Sequence, residues 1–134
     1  MSNVSKIKNV LIIDDDIDIQ KLFAKIFKNY HHYHLTTADN GAEAFLLIQS
    51  IKPDIILCDV MMPKMDGLEL FVLLKHDPEL SQIPFLFISA NDSDEDTLIG
   101  FGLGADDYIK KPFYTKDVMS RIYDVLSKKI DKSV

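Results

Sequence analysis

The chain has 134 residues, of which 47% are hydrophobic and 27% charged, proportions typical of one soluble globular domain and not of a disordered or fibrous chain. The net charge of −6, with 21 acidic against 15 basic side chains, disfavours direct binding to nucleic acid or to an anionic membrane. A single cysteine, Cys58, excludes an intramolecular disulfide, and no apolar run approaches the roughly 20 residues of a membrane span, so we expect a cytoplasmic protein.

Short apolar runs alternate with stretches of helical period along the chain. Strands are predicted at 10–14, 33–37, 54–59, 84–89 and 107–109, and helices at 17–30, 41–50, 66–76, 93–102 and 115–129. The first helix has the strongest apolar stripe, whereas Gly100 and Gly102 weaken the fourth. Strands that alternate with helices pair in parallel through right-handed crossovers, which cover both faces of the sheet. The sequence therefore predicts an α/β domain with a parallel sheet.

Charged and hydroxyl side chains stand where the predicted strands end. In chain order they are Asp14, Asp15, Asp16, Asp59, Ser89, Lys110 and Lys111. The carboxyl ends of parallel strands share one edge of the sheet, which is where ligands bind in open α/β folds. Two carboxylates about 5 Å apart repel by about 3 kcal/mol at an effective dielectric constant of about 20, so a cation or proton is needed among them. Oxygen donors favour Mg²⁺, with Mn²⁺ as an alternative, and the lysine and hydroxyl suit phosphoryl transfer.

Four segments carry a family resemblance when they are taken in order. The segments LIIDDD, DIILCDVMMPKMDGLEL, FISA and GADDYIKKPF resemble the receiver domains of two-component response regulators, which include the single-domain chemotaxis regulator. The likeness extends from about Val10 to about Ser127. It implies a flavodoxin-like, doubly wound sheet of five strands in the order 2-1-3-4-5. It also implies a single receiver domain over residues 1–134, with a core at about 8–128 and short flexible termini.

The resemblance implies a phosphoacceptor and a metal site. Asp59 would be the phosphoacceptor. Asp14 and Asp15 would be the acidic pair that holds Mg²⁺, together with Asp59 and the backbone carbonyl of Met61. From the residues alone, the run that includes Asp16 could equally be the solvated first turn of a helix, and Asp16 is the best candidate for its cap.

The resemblance also implies a switch. Ser89 would bond the phosphoryl group, and Lys111 would pair with it, preceding a proline whose peptide bond is commonly cis in this family. Tyr108 would be the aromatic residue that turns inward when Ser89 moves. Three positions differ from the common pattern of this family or vary within it. Ser89 lacks the methyl group of the threonine that is also common there, and Met61 and Asn91 occupy positions that tune how fast the phosphoryl group is lost.

The implied function is a signalling switch that catalyses only its own phosphorylation and dephosphorylation, and so is not an enzyme in the usual sense. A sensor histidine kinase or phosphotransfer protein would supply the phosphoryl group. The surface of the fourth helix, fifth strand and fifth helix would control a downstream effector protein or output domain. Homodimerisation on the fourth helix is left open.

Three alternatives fit the same sheet less well. A Mg²⁺-dependent phosphohydrolase that resembles the haloacid dehalogenases would need a DxDxT run, and the segment DDDID lacks the threonine. A flavin or dinucleotide binder would need a glycine-rich loop after the first strand. A degenerate receiver used only for docking is disfavoured because every charged site residue is present.

Overall fold

The computed structural model describes residues 6–100 and 102–132. The predicted flexibility of the termini concerns residues 1–5 and 133–134, among others, and these lie outside the described residues. Strands lie at Lys8–Ile13 (β1), Tyr33–Ala38 (β2), Ile55–Asp59 (β3), Phe85–Ser89 (β4) and Asp107–Lys110 (β5). Helices lie at Ile17–Phe27 (α1), Gly41–Ile51 (α2), Gly67–Lys75 (α3), Asp92–Gly100 (α4) and Thr115–Lys132 (α5), with a 3₁₀ turn at Leu80–Gln82.

The strands form one five-stranded sheet in the order β2-β1-β3-β4-β5, and every pairing is parallel. The predicted doubly wound, flavodoxin-like topology is therefore confirmed. The register aligns Ile13 with Cys58 and Asp59 with Ile88, so β1, β3 and β4 end at nearly the same level. This shared level decides which loop residues can meet at the carboxyl edge.

Both faces of the sheet are covered, which explains why the central strands are apolar throughout. Alternate residues of a strand point to opposite faces. Val10 and Ile12 of β1 pack in one cluster with residues of α1 and α5, whereas Leu11 and Ile13 pack in a second with residues of α2 and α3. None of the helices within the described residues combines the length and apolar character needed to cross a lipid bilayer.

The first and fourth helices end earlier than predicted, whereas α5 extends to Lys132 and not only to residue 129. The first helix was predicted to reach residue 30, but α1 ends at Phe27, and Tyr30 packs against the core from the following turn. An apolar residue at helical spacing can thus be buried without being helical. The fourth helix was predicted to reach residue 102, yet α4 ends at Gly100 and Gly102 has a φ of 66°, a left-handed conformation that cannot continue a helix.

Candidate functional site

Three carboxylates gather at the carboxyl edge of the sheet. Asp14 and Asp15 follow β1, and Asp59 ends the adjacent strand β3. One carboxylate oxygen from each lies within 4.8 Å of the other two. Within the described ranges, this is the one group of three or more His, Cys, Asp or Glu side chains with such spacing. A single divalent ion can contact all three oxygens at this spacing, and carboxylate oxygens are the ligands that Mg²⁺ prefers.

Asp14 is the most buried member of the cluster, with 1% of its surface exposed, and several hydrogen bonds hold it in place. One of its carboxylate oxygens accepts the Asp16 backbone N–H at 2.9 Å, and the other accepts Lys111 Nζ at 2.9 Å. Its backbone carbonyl accepts the Gln20 side-chain amide at 2.8 Å, and the same amide donates to Asp39 at 2.7 Å. Gln20 was missed by the sequence analysis, since a polar residue on α1 gives no signal that it braces two loops.

The third aspartate of the run has a different role. The Asp16 side chain accepts the Asp18 backbone N–H at 2.9 Å and forms the N-cap of α1. This satisfies a backbone donor that the helix itself leaves unpaired. The predicted cap is therefore present at Asp16, and the two preceding aspartates are the ones that reach the cluster.

Lys111 lies between two of the carboxylates. Its ammonium is 2.9 Å from Asp14 and 3.5 Å from Asp59, and its backbone N–H donates to the Ser89 carbonyl at 2.7 Å. Burial lowers the pKa of Lys111, but the hydrogen bond from Lys111 to Asp14 and the charges of Asp59 and Asp14 outweigh it, so the pKa is raised overall and the side chain stays cationic. The Lys111–Pro112 peptide bond is cis. The neighbouring Lys110 is exposed.

The positive charge of Lys111 only partly offsets the negative charge of the three carboxylates. Burial, followed by the negative charge of Asp14, raises the pKa of Asp59 from 3.8 to about 6, although Lys111 opposes both effects. The Asp59 side chain is 14% exposed, so it remains accessible to a ligand. A carboxylate with a raised pKa in a set of oxygen donors is stabilised in its charged form by a further cation, so these residues fit Mg²⁺. Burial also raises the pKa of the adjacent Cys58 thiol well above its ordinary value, consistent with an inert core residue.

The loop between β3 and α3 fixes the backbone beside Asp59. The Gly67 N–H donates to the Val60 carbonyl at 2.9 Å, and a Cβ at position 67 would overlap the Asp59 carbonyl oxygen. Lys64 takes a left-handed φ of 67° within the same loop. Met61, two residues after Asp59, is 69% exposed, and the role of its backbone carbonyl stays a prediction.

The predicted switch residues lie on β4 and β5, on the opposite side of β3 from β1. The Ser89 hydroxyl bonds to Asn91 and Asp94 of the following segment, and the Asn91 N–H donates back to it at 3.1 Å. Tyr108 stacks on Phe87 with ring centroids 6.0 Å apart, and both rings line a cavity of about 90 Å³ that also borders Ser89. The structure thus brings the acidic residues and Lys111 together, while the Ser89 hydroxyl bonds to Asn91 and to Asp94 at the start of α4.

The topology and this edge define a class of protein: a flavodoxin-like α/β domain whose carboxyl edge carries an acidic site suited to a divalent cation, with a lysine beside it. Residues 10–132 match the family model of the response regulator receiver domain. The chain belongs to this family, as the resemblance of its four segments indicated.

Similar proteins support the same assignment. The chain is 36% identical over 119 residues to the alkaline phosphatase synthesis transcriptional regulatory protein PhoP of Bacillus subtilis. The aligned region covers 89% of this chain and 48% of that protein. The receiver domain of Francisella response regulator 1452 superposes with a TM-score of 0.78 at 34% identity, covering 90% of this chain and 98% of that one. The chemotaxis response regulator CheY4 of Vibrio cholerae gives a TM-score of 0.80 at 28% identity, with 90% and 99% covered. The chain spans about half the length of the curated relatives it matches.

Family membership settles the general function. The chain contains a response regulator receiver domain of two-component signalling, and such domains are signalling domains that are generally not classed as enzymes. Receiver domains bind Mg²⁺ at an acidic pocket, and this chain has an acidic cluster of that kind. Response regulators interact with histidine kinases and with output domains.

Proposed function

We propose that this chain is a phosphoacceptor switch in which Asp59 receives a phosphoryl group from a sensor histidine kinase or a phosphotransfer protein. Mg²⁺ would be held by Asp14, Asp15, Asp59 and the backbone carbonyl of Met61. The observation that carries the proposal is the convergence of three carboxylates within 4.8 Å on an ammonium group that lies 3.5 Å from Asp59. This combination provides a nucleophile, a cation site and a fixed positive charge in one place.

The chain's own residues account for the transfer step. A carboxylate oxygen of Asp59 attacks phosphorus, and the phosphorus–nitrogen bond of a phosphohistidine breaks, so that an acyl phosphate forms and the histidine ring departs. Lys111 stabilises the transferred oxygens because its ammonium already stands beside the nucleophile. Bound Mg²⁺ supplies additional neutralisation of the phosphoryl charge. Later attack by water on phosphorus releases phosphate and restores the carboxylate.

Phosphorylation then acts on a neighbouring two-state element. The new dianionic group recruits the Ser89 hydroxyl and Lys111, and Tyr108 moves toward the space that Ser89 borders. The consequence is a changed surface on α4, β5 and α5, which controls a downstream effector protein or an output domain. We place the domain core at about 8–128 and propose that the chain acts in the cytoplasm through protein partners, without direct contact with nucleic acid.

Incubation with acetyl phosphate and Mg²⁺, followed by intact-mass measurement, tests the proposal. The wild-type chain should gain about 80 Da, the mass of one phosphoryl group. The matched variant Asp59→Asn should gain none, because the amide is not a nucleophile, and chelation of the metal should abolish the gain in the wild type. An equal gain in the Asn variant would refute the assignment of Asp59. Sustained turnover of small phosphate esters would instead favour a hydrolase.

A further inference from the structure

The hydroxyl of Ser89 is held in an orientation that the proposed switch has to abandon. It donates to the Asp94 carboxylate or the Asn91 carbonyl and accepts the Asn91 backbone N–H at 3.1 Å. Asp94 lies in the first turn of α4, five residues after Ser89, and both side chains are partly buried. The hydrogen bond from Ser89 to Asp94 therefore joins the end of β4 to the start of the helix that follows.

A serine hydroxyl has one proton to donate, and this limits what Ser89 can do. An ionised carboxylate only accepts hydrogen bonds, so the Asp94 contact uses that proton. The oxygens of a phosphoryl group on Asp59 are also acceptors at neutral pH and need the same proton. Ser89 cannot donate to Asp94 and to the phosphoryl group at the same time. Formation of the phosphoryl contact therefore requires the Asp94 contact to break.

The backbone at Ser89 leaves side-chain rotation as the direct way to exchange partners. Its carbonyl accepts the Lys111 N–H at 2.7 Å, and it is paired in register with Lys110 of β5. Serine has no γ-methyl group, so rotation about χ1 meets less steric resistance than in threonine. The choice of partner then depends on which acceptor binds the hydroxyl more strongly.

We propose that Asp94 is a positioning residue that holds the Ser89 hydroxyl in the resting orientation and thereby weakens the capture of a phosphoryl group at Asp59. This inference rests on the proposed function and adds a restraint supplied by α4. Asp94 sets the balance between the resting and the phosphorylated states by competing for one proton.

A purely structural role for Asp94 would be to stabilise the start of α4. The chain already provides that stabilisation, because the Asn91 side-chain oxygen accepts the Ser93 backbone N–H at 3.0 Å and the Ser93 hydroxyl at 2.8 Å. An acidic residue in the first turn of a helix is also favoured by the helix dipole, but this effect does not require a bond to Ser89. The two roles therefore make different predictions once Ser89 is removed.

The test is a thermodynamic cycle with beryllofluoride, a stand-in for the phosphoryl group on a carboxylate, titrated calorimetrically into the full chain with Mg²⁺. The variants are Asp94→Ala, the isosteric Asp94→Asn, Ser89→Ala and the double variant Ser89→Ala/Asp94→Ala. We expect Asp94→Ala to bind beryllofluoride about tenfold more tightly than wild type, equivalent to about 1.4 kcal/mol, with Asp94→Asn in between. The variant Asp124→Ala removes an exposed carboxylate from α5 and should match wild type.

The Ser89→Ala background separates competition for the proton from simple charge repulsion. Without the hydroxyl there is no proton to share, so Asp94→Ala should change the affinity by less than about twofold in that background. A gain of the same size in both backgrounds would overturn the inference, as would equal affinities of wild type and Asp94→Ala. A wild-type chain that neither binds beryllofluoride nor gains mass from acetyl phosphate would refute the proposed function itself. Wild-type binding with an unchanged Asp94→Ala variant would refute only the role of Asp94.

Discussion

Replacement of the proposed phosphoacceptor by its amide should stabilise the fold at neutral pH. In the wild-type chain, Asp59 lies beside the buried carboxylate of Asp14, and Lys111 compensates the two charges only in part. The variant Asp59→Asn keeps the shape of the side chain and removes its charge. The expected gain follows from the electrostatic cost that the site carries without metal.

The raised pKa of Asp59 sets the size of this gain. Burial and then the charge of Asp14 raise the pKa from 3.8 to about 6, so the folded chain binds this proton more tightly than the unfolded chain does. The contribution of Asp59 to stability is therefore fully present below about pH 4 and is lost as the pH rises through about 6. Two pKa units correspond to about 3 kcal/mol, and solvent screening at this partly exposed carboxylate reduces the expected loss to about 1.5 kcal/mol.

Thermal unfolding followed by circular dichroism, in a buffer that contains a metal chelator, measures this effect. Above pH 7, Asp59→Asn should unfold about 5 °C higher than wild type, because 1 kcal/mol shifts the midpoint of a domain of this size by about 3 to 4 °C. Near pH 4 the two midpoints should approach each other, since the wild-type carboxyl is then protonated in the folded state and about half protonated in the unfolded state. Addition of Mg²⁺ should raise the midpoint of the wild type more than that of the variant.

A difference in midpoint that is the same at pH 4 and pH 7 would refute this reasoning, because the stabilisation would then have no link to ionisation of Asp59. A variant less stable than wild type at both values would show that the carboxylate contributes more through hydrogen bonds than it costs through burial. The variant Asp18→Asn removes an exposed carboxylate from the first turn of α1 and controls for the change in net charge.

Three further substitutions test the supports of the site. The variant Lys111→Met should lower the free energy of unfolding by about 3 kcal/mol in urea titrations without metal, because it leaves the Asp14 carboxylate buried and unpaired. The variant Gly67→Ala should cost about 2 kcal/mol and reduce the Mg²⁺-induced rise in midpoint, since the added methyl group would displace the Asp59 carbonyl. The variant Lys64→Gly should stabilise the fold by about 0.5 kcal/mol in the same titrations, because its φ of 67° is unstrained only for glycine.

Matched controls accompany two of these substitutions. Lys110→Met removes the neighbouring exposed lysine, and a loss of stability equal to that of Lys111→Met would contradict the role given to the buried ion pair. Lys28→Gly places glycine at a residue with a φ of −57°, where it should destabilise. Stabilisation by glycine at both lysines would show that backbone strain at Lys64 is not the cause. For Gly67→Ala, unchanged stability and Mg²⁺ response would contradict the predicted displacement.

Local patterns in the sequence were sufficient to predict the architecture. The alternation of apolar runs with helical stripes predicted every strand of the sheet and every α-helix that flanks it. Hydrophobic periodicity and turn residues depend only on neighbours along the chain. The same patterns placed Asp59 and Ser89 at strand ends, where the structure has them. They failed at the end of α1, since burial of Tyr30 continues the apolar pattern after the helical backbone has stopped.

Tertiary structure decided which of these residues meet. The sequence offers three consecutive aspartates and two consecutive lysines, and only the register of β1, β3, β4 and β5 brings Asp14 and Lys111 to 2.9 Å. The pKa of Asp59 depends on burial and on charges distant in sequence, and the hydrogen bond between Ser89 and Asp94 depends on how the start of α4 lies against the end of β4. Distances and local dielectric arise only when separate segments pack together. The chemistry could thus be predicted from the residue types, whereas the geometry that supports it required the fold.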